Sequence, residues 1–198
     1  IISIVFIVCY TYQFFYILVP YVVKDRRRGE VRGHRYAVLI SARNEEAVIG
    51  QLLESIKRQS YDGGLVTTFV VADNCTDGTA RVAAESGAIV FERFDSANVG
   101  KGYALNYLLH RIDELFPERP FDGYFVFDAD NVLEENYIEE MNRVFSEGYE
   151  IVTSYRNSKN FGDNWISSGY ALWFLRESQF LNHARMKLGT SCAVSGTG

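Results

Sequence analysis

Cysteine and histidine are scarce in this sequence. Its 198 residues include three cysteines and three histidines, scattered along the chain. The odd number and wide spacing of the cysteines argue against a disulfide framework and against a cysteine-rich zinc site. No two histidines have the spacing of metal ligands. Low-complexity and collagen-like bias is also missing, and a hydrophobic content of 47% is too high for a disordered chain.

Positive charge is in short supply over the chain as a whole. The net charge of −5 argues against nucleic acid as the main partner. The average hides two parts of opposite sign. Residues 1–35 contain six Lys and Arg against two Asp and Glu, whereas residues 36–198 contain fourteen against twenty-three. We therefore expect a basic leader followed by an acidic body.

The first 23 residues contain no charged side chain. As a helix they would be about 34 Å long, enough to cross a hydrocarbon core of about 30 Å. Lys24, Arg26, Arg27 and Arg28 follow directly, and such a cluster marks the cytoplasmic side. We expect a transmembrane helix over 1–23, a basic linker over 24–35 and a body on the cytoplasmic side of the cell membrane.

Two alternatives compete with the membrane helix. A secretory signal peptide fits less well, because no basic segment precedes the apolar run and no small-residue cleavage site follows it. A buried core helix is the other alternative, and an uncharged run of this length beside a basic cluster disfavours it.

Strand-like and helix-like patterns alternate through the body, which predicts a mostly parallel sheet covered by helices on both faces. The predicted strands cover 36–41, 66–72, 88–92, 123–127 and 150–154, with a further short strand at 190–194. The predicted helices cover 47–59, 77–86, 103–116, 134–147 and 164–187.

Polar clusters follow three of the predicted strands, at 41–46, 73–77 and 128–131. Ligands of open α/β sheets bind outside the carboxyl ends of the strands. The three clusters are far apart in sequence but should converge at that edge. Their shared position predicts a binding site there.

Asp128 and Asp130 follow one of these strands directly. Side chains two apart on an extended chain point to the same side. Two carboxylates in that arrangement offer hard oxygen ligands that suit Mg²⁺ or Mn²⁺ and leave room for phosphate oxygens and water. An ordinary strand-to-helix turn is the alternative interpretation.

A glycine-flanked lysine, Gly100-Lys101-Gly102, opens one predicted helix. Glycines allow close backbone approach, and a helix N-terminus favours an anion, so Lys101 could reach a diphosphate. The segment is not a dinucleotide fingerprint, because Leu105 occupies the third glycine position. It is not a Walker A loop either, because Gly102 stands where Ser or Thr is needed.

Five segments, taken in order, resemble the motifs of family 2 inverting glycosyltransferases with a GT-A fold. They are 41–46, 72–79, 100–106, 128–130 and 195–198. The resemblance is greatest to membrane-anchored bacterial members related to polysaccharide synthases, and it covers residues 36–198. It implies a GT-A nucleotide-sugar-binding domain, a nucleotide-diphosphate sugar donor that is most often a UDP-sugar, and a divalent Mn²⁺ or Mg²⁺ ion.

The resemblance also assigns roles to particular residues. Around the nucleotide, Glu45 would lie near the ribose, Asp73 would accept a hydrogen bond from the uracil, and Asp130 of the Asp128–Asp130 pair would bind the metal. The full set of implied nucleotide-sugar residues is Ala42, Asn44, Glu45, Asp73, Lys101 and Asp128. The loop that would border the donor sugar and the acceptor consists of Ser195, Gly196, Thr197 and Gly198.

We therefore predict an enzyme that moves a sugar from a UDP-sugar to a hydroxyl of a glycan or lipid acceptor with inversion, in cell-envelope or polysaccharide synthesis. The family's carboxylate base follows the 195–198 loop, so we expect the sequence to be part of a longer protein, with its base beyond Gly198. One alternative is a membrane-tethered nucleotide-sugar-binding subunit without catalysis. A nucleotidyltransferase is another, although it normally carries a glycine-rich signature after the first strand.

Overall fold

The computed structural model describes residues 2–23, 30–118, 120–158 and 161–194. The chain divides into two compact units. The first, which we call the helical unit, comprises Ile1–Gly29 and Ile151–Ser195, and the second, the sheet unit, comprises Glu30–Glu150 and Gly196–Gly198. The predicted basic cluster at 24–28 and the predicted loop formed by Ser195, Gly196, Thr197 and Gly198 lie outside the described residues.

The secondary structure follows the alternation expected from the sequence. In chain order the elements are α1 (Ile2–Tyr10), α2 (Tyr12–Val22), β1 (Tyr36–Ala42), α3 (Ile49–Lys57), a 3₁₀ turn (Gly63–Leu65), β2 (Val66–Asp73), α4 (Thr79–Glu85), β3 (Ile89–Arg93), α5 (Lys101–Leu115), β4 (Gly123–Asp128), α6 (Tyr137–Phe145), α7 (Trp165–Leu175), a π-helical segment (Arg176–Asn182) and α8 (His183–Lys187).

In the described part of the chain, four parallel strands form one sheet in the order β3-β2-β1-β4. β1 is buried along almost its whole length and β2 from Phe69 onward, as is usual for strands inside a parallel sheet. Side chains from α3, α4 and α6 pack on one face, including Leu52, Ala83 and Ile138, and α5 covers the other with Leu108 and Ile112. The prediction of a parallel sheet with helices on both faces is confirmed.

The strand order reverses at β1. The chain runs from β1 to β2 to β3 in one direction, and β4 then pairs with the opposite side of β1. The register sets Ser41 opposite Asp128 and Asp73 opposite Arg93 at the carboxyl edge. A reversal of this kind opens a crevice beyond the carboxyl ends of the two strands concerned, here β1 and β4.

Two predicted strands do not form. Residues 150–154 and 190–194 have no strand structure, although both are described. A strand needs a neighbour for its backbone hydrogen bonds, and the four paired strands do not include these segments. Ile151 is accordingly 74% exposed rather than buried.

The helical unit contains α1, α2 and the helices after residue 164. Ile2–Val22 runs as a helix interrupted only at Thr11, and among the described residues it is the one long and apolar enough to cross a membrane. Within this unit, α2 packs against the π-helical segment and α8. There the Lys187 ammonium donates hydrogen bonds to the carbonyls of Pro20 and Val23, which satisfies acceptors at the C-terminal end of α2.

Candidate active site

The loops that follow β1 and β2 are fastened to one another. The side-chain oxygen of Asn44 accepts hydrogen bonds from the Thr76 backbone N–H at 2.8 Å and from its hydroxyl at 3.3 Å. Cys75 bridges the same gap, since its Sγ accepts from the Asn44 N–H and its thiol donates to the Ala42 carbonyl. Asn44 and Asn74 both have left-handed backbone conformations, which asparagine tolerates better than most residues.

A second link joins these loops further along. The Glu46 carboxylate accepts from the Gly78 N–H at 2.9 Å and pairs with Arg81 at 3.1 Å, while Asp77 accepts from the Glu46 N–H. A Cβ on Gly78 would lie 2.4 Å from the Glu46 carboxylate, so a larger residue at that position would push the end of the Glu46 side chain aside. Hydrogen bonds from Thr79, above all from its hydroxyl, lower the pKa of the Asp77 carboxyl.

Asp73 lies at the carboxyl end of β2 and is 4% exposed. Its Oδ1 accepts from Arg93 Nη1 at 2.6 Å and from the Asn74 side-chain amide at 3.2 Å. Arg93, itself 8% exposed, also contacts Asp95 Oδ2 and the Asn98 carbonyl through Nη2, both at 2.8 Å. The predicted nucleoside-binding carboxylate is therefore held by a buried arginine.

Lys101 begins α5 and reaches the end of β4. Its ammonium lies 2.6 Å from Asp128 Oδ1, and both side chains keep part of their surface in solvent. Gly100 precedes the helix with a φ of +132°, a conformation that favours glycine. Predicted from sequence as separate elements, the lysine loop and the acid pair are brought together here, and α5 begins at Lys101 rather than at Tyr103.

A turn, and not strand alternation, sets the positions of the two acids. β4 ends at Asp128, and the Asn131 N–H donates back to the Asp128 carbonyl at 3.0 Å. Ala129 is buried between an intermediate Asp128 and an exposed Asp130. The expectation of two residues on a continuing strand was wrong in this respect, because the extended chain stops before Asp130.

The structure brings most of the predicted site residues to one edge. Asn44, Asp73, Lys101 and Asp128 lie on loops or strand ends there, and Glu45 is anchored by its backbone N–H to the Thr79 hydroxyl. The side chain of Ala42 belongs to the core, so only its backbone faces this edge.

Sequence reasoning missed Arg93, Asp95 and Asn98. They lie between a predicted strand and a predicted helix, where charged residues are usual. Arg93 is opposite Asp73 in the β2–β3 register. A predicted pairing of the second and third strands in this register would have placed Arg93 beside Asp73.

The parallel sheet, its switch point and the acid pair at the end of β4 define a GT-A-type α/β protein. Residues 34–198 match the sequence model of the family described as glycosyltransferase like family 2. The chain belongs to this family. Its membership also weighs against the nucleotidyltransferase alternative.

Three curated relatives illustrate the similarity. The chain is 40% identical over 76 residues to the low-salt glycan biosynthesis hexosyltransferase Agl6 of Haloferax volcanii, a match covering 38% of this chain and 18% of that protein. It is 33% identical over 99 residues to the beta-monoglucosyldiacylglycerol synthase of a Nostoc species, covering 48% and 20%. It is 42% identical over 74 residues to the 4,4'-diaponeurosporenoate glycosyltransferase of Staphylococcus aureus, covering 37% and 19%. Each match spans about a fifth of the relative's length.

Among solved structures, the chain is similar in fold to the mannosyltransferase PcManGT of Pyrobaculum calidifontis, whose structure contains GDP-Man and Mn²⁺. The TM-score is 0.53 at 18% identity, and the match covers 69% of this chain and 38% of that one. This likeness concerns the fold and agrees with the GT-A architecture described above.

Proposed function

We propose that this chain binds a nucleoside-diphosphate sugar, most simply a UDP-sugar, at the carboxyl edge of its sheet and transfers the sugar to a hydroxyl acceptor with inversion. The observation that carries the proposal is the convergence of Lys101 with Asp128 beyond the switch point, with Asp130 in the adjoining turn. Asp73 lies at the same edge, two strands away from β4.

The diphosphate would lie at the start of α5. A helix N-terminus offers unpaired N–H groups and a positive dipole end, which favour an anion. Lys101 adds a full positive charge at this point, and its side chain is 33% exposed and so accessible to a ligand. The nucleoside would then extend toward Asp73 and the loop that carries Asn44 and Glu45.

Asp128 and Asp130 fit a divalent cation as part of a larger oxygen ligand set. The described residues contain no cluster of three or more His, Cys, Asp and Glu that could hold a metal by themselves. Asp130, with Asp128 beside it, would therefore share Mn²⁺ or Mg²⁺ with diphosphate oxygens and water. When bound, such an ion offsets the negative charge that develops on the departing diphosphate.

In the proposed reaction, the acceptor hydroxyl attacks the anomeric carbon from the face opposite the diphosphate. A new carbon–oxygen bond forms as the bond to the diphosphate breaks, which inverts the anomeric centre. The hydroxyl proton passes to a carboxylate base. We assign that base to none of the described residues, because the family resemblance places it after the 195–198 loop.

The acceptor class and the membrane location also belong to this proposal. The Nostoc relative is named for a diacylglycerol glycolipid and the Haloferax relative for glycan biosynthesis, which supports a lipid or glycan acceptor. The apolar helix Ile2–Val22 supports attachment to the cell membrane, with the basic cluster of residues 24–28 on the cytoplasmic side.

Calorimetric titration of UDP in the presence and absence of Mn²⁺ tests the donor site. We expect saturable UDP binding that Mn²⁺ strengthens, and in Asp130→Asn we expect that strengthening to disappear. Electron paramagnetic resonance of Mn²⁺ would report the lost metal binding directly. The control is Glu118→Gln, which removes an exposed carboxylate between α5 and β4, at the opposite edge of the sheet.

Transfer is tested with a labelled UDP-sugar and a membrane extract as the source of acceptors. Asp130→Asn should abolish metal-dependent transfer, and undiminished transfer would contradict the assignment. Absence of saturable UDP binding by the folded protein would overturn the donor site itself. Removal of residues 2–22 should release the protein from the membrane fraction.

A further inference from the structure

Arg93 is a buried charged side chain at the carboxyl edge of the sheet. It is 8% exposed, and its guanidinium contacts three acceptors on three different residues: Asp73, Asp95 and Asn98. Replacing a buried ion pair by apolar side chains often leaves stability unchanged or raises it, so stability alone is a weak reason for this arrangement. The position of its partners indicates a different role.

On one side, Arg93 fixes the orientation of the Asp73 carboxylate. Oδ1 of Asp73 accepts from Arg93 and from the side chain of Asn74. Within the described part of the chain no hydrogen bond to Oδ2 of Asp73 is found, and this oxygen is not among the buried atoms that lack a partner. One carboxylate oxygen is thus held by the protein, and the other is left to accept from a ligand.

A carboxylate oxygen only accepts hydrogen bonds, so the ligand atom facing it must carry a hydrogen. The ring N–H between the two carbonyls of uracil meets this requirement. The corresponding ring nitrogen of cytosine is an acceptor and does not. A fixed Asp73 Oδ2 would therefore select between these two pyrimidines.

On the other side, Arg93 holds the loop that leads to Lys101. Nη2 contacts Asp95 Oδ2 and the Asn98 carbonyl. Asp95 in turn accepts from the backbone N–H groups of Ala97 and Asn98, at 2.9 and 3.0 Å, and from the Asn98 side chain. The loop is closed on itself immediately before Gly100 and the first turn of α5.

We propose that Arg93 is a positioning residue that couples the two ends of the nucleotide site. Through Asp73 it sets the selectivity for a base with a ring N–H, and through Asp95 and Asn98 it sets the position of the segment carrying Lys101. This inference rests on the proposed function, because it takes the bound ligand to be a nucleoside diphosphate.

The test measures the affinities of UDP, CDP and uridine by calorimetry for the wild type, Arg93→Met and Arg93→Lys. In Arg93→Met we expect UDP to bind about tenfold more weakly, the factor that loss of one charge-assisted hydrogen bond produces. The ratio of UDP to CDP affinity should fall with it. Arg93→Lys should restore part of that ratio, since one ammonium can replace Nη1 but cannot form the two-sided contact.

Arg58→Met serves as the matched control. Arg58 is exposed at the C-terminal end of α3, where it pairs with Glu54 at 3.8 Å. Its replacement should leave all three affinities unchanged.

Asp95→Ala keeps the inference testable if Arg93→Met fails to fold, as circular dichroism and thermal melting would show. This variant leaves the Arg93–Asp73 pair in place and releases the loop before Lys101. UDP affinity should fall, while uridine affinity should stay the same.

An unchanged ratio of UDP to CDP affinity in folded Arg93→Met overturns the inference, as does equal weakening of UDP and uridine in Asp95→Ala. Both results leave the proposed function standing, because the wild type still binds UDP. Absence of UDP binding by the folded wild type overturns the proposed function and the inference with it.

Discussion

The sheet unit and the helical unit differ in charge and in burial. The sheet unit contains eleven Lys and Arg against twenty-two Asp and Glu, whereas the helical unit contains nine against three. Phe69 and Phe127 of the sheet unit are almost completely buried, whereas Trp165 and Tyr170 of the helical unit are 83% and 61% exposed. The two units therefore present different surfaces to their surroundings.

This difference separates two kinds of binding. The acidic sheet unit can accept an anionic nucleotide only where positive charge is placed locally, as at Lys101, or where a metal ion is shared. The helical unit contains the apolar helix Ile2–Val22 and exposes Trp165 and Tyr170, and both features support the proposed attachment to a membrane, since tryptophan and tyrosine are enriched at the membrane–water interface. Each unit fits one part of the proposed function.

The largest expected effect concerns burial. Phe69 is completely buried and packs edge-on against Phe116 and Phe121, with ring centroids 5.8 Å apart in both pairs. We expect Phe69→Ala to lower the free energy of unfolding by about 3–5 kcal/mol. Trp165→Ala in the helical unit should change it by less than about 0.5 kcal/mol. Urea unfolding followed by circular dichroism measures both changes. Equal losses in the two variants would contradict the difference in burial between the units.

A smaller effect concerns the local positive charge of the sheet unit. In Lys101→Met we expect UDP to bind about tenfold more weakly, because one charge-assisted contact to the diphosphate is lost. The free energy of unfolding should change by less than about 1 kcal/mol, because the Lys101–Asp128 pair is partly exposed. Calorimetry and thermal melting measure the two quantities. Lys57→Met, on the exposed end of α3, is the control, and equal weakening in both variants would contradict a specific role.

The smallest expected effect is a loss of stability of the sheet unit at alkaline pH. Tyr36 is 2% exposed, and burial raises the pKa of its phenol, which donates to the Asn142 side chain at 2.8 Å. Stabilisation by the protonated phenol is complete below pH 10 and is lost as the pH rises, because the unfolded phenol ionises first. By pH 11 we expect a loss of about 1 kcal/mol from this residue.

Unfolding of Tyr36→Phe between pH 9 and 11 tests this assignment. The variant should lose less stability over that range than the wild type. Tyr103→Phe, which removes an exposed phenol, should follow the wild type. If the wild type and Tyr36→Phe share the same slope, the alkaline loss arises elsewhere.

The core of the sheet unit could be predicted from the sequence because its signals are local. The strands predicted at 36–41 and 66–72 are rich in apolar and β-branched residues, and β1 and the second half of β2 are buried as such a pattern predicts. The strand predicted at 150–154 failed because pairing depends on a neighbouring strand that an apolar pattern does not specify. The role of Asp128 and Asp130 as metal ligands stays a prediction, and a turn rather than strand alternation sets their positions.

The ion pairs of the candidate site could not be predicted from the sequence, because they join residues far apart in the chain. Arg93 and Asp73 are 20 residues apart, and Lys101 and Asp128 are 27 apart. From the sequence alone, Arg93 and Lys101 could each have been an ordinary charged residue on the surface. Only the strand register and the reversal at β1 place them beside their partners.

The close approach of Gly78 to Glu46 has a consequence for protein engineering. A single added methyl group, Gly78→Ala, would displace the Glu46 carboxylate and loosen its contacts with Arg81 and the Gly78 N–H. It would do so without altering Asp73, Lys101, Asp128 or any side chain of the core. A substitution at position 78 would thus change how firmly the two loops are held together without replacing any group that the proposal places at the ligand.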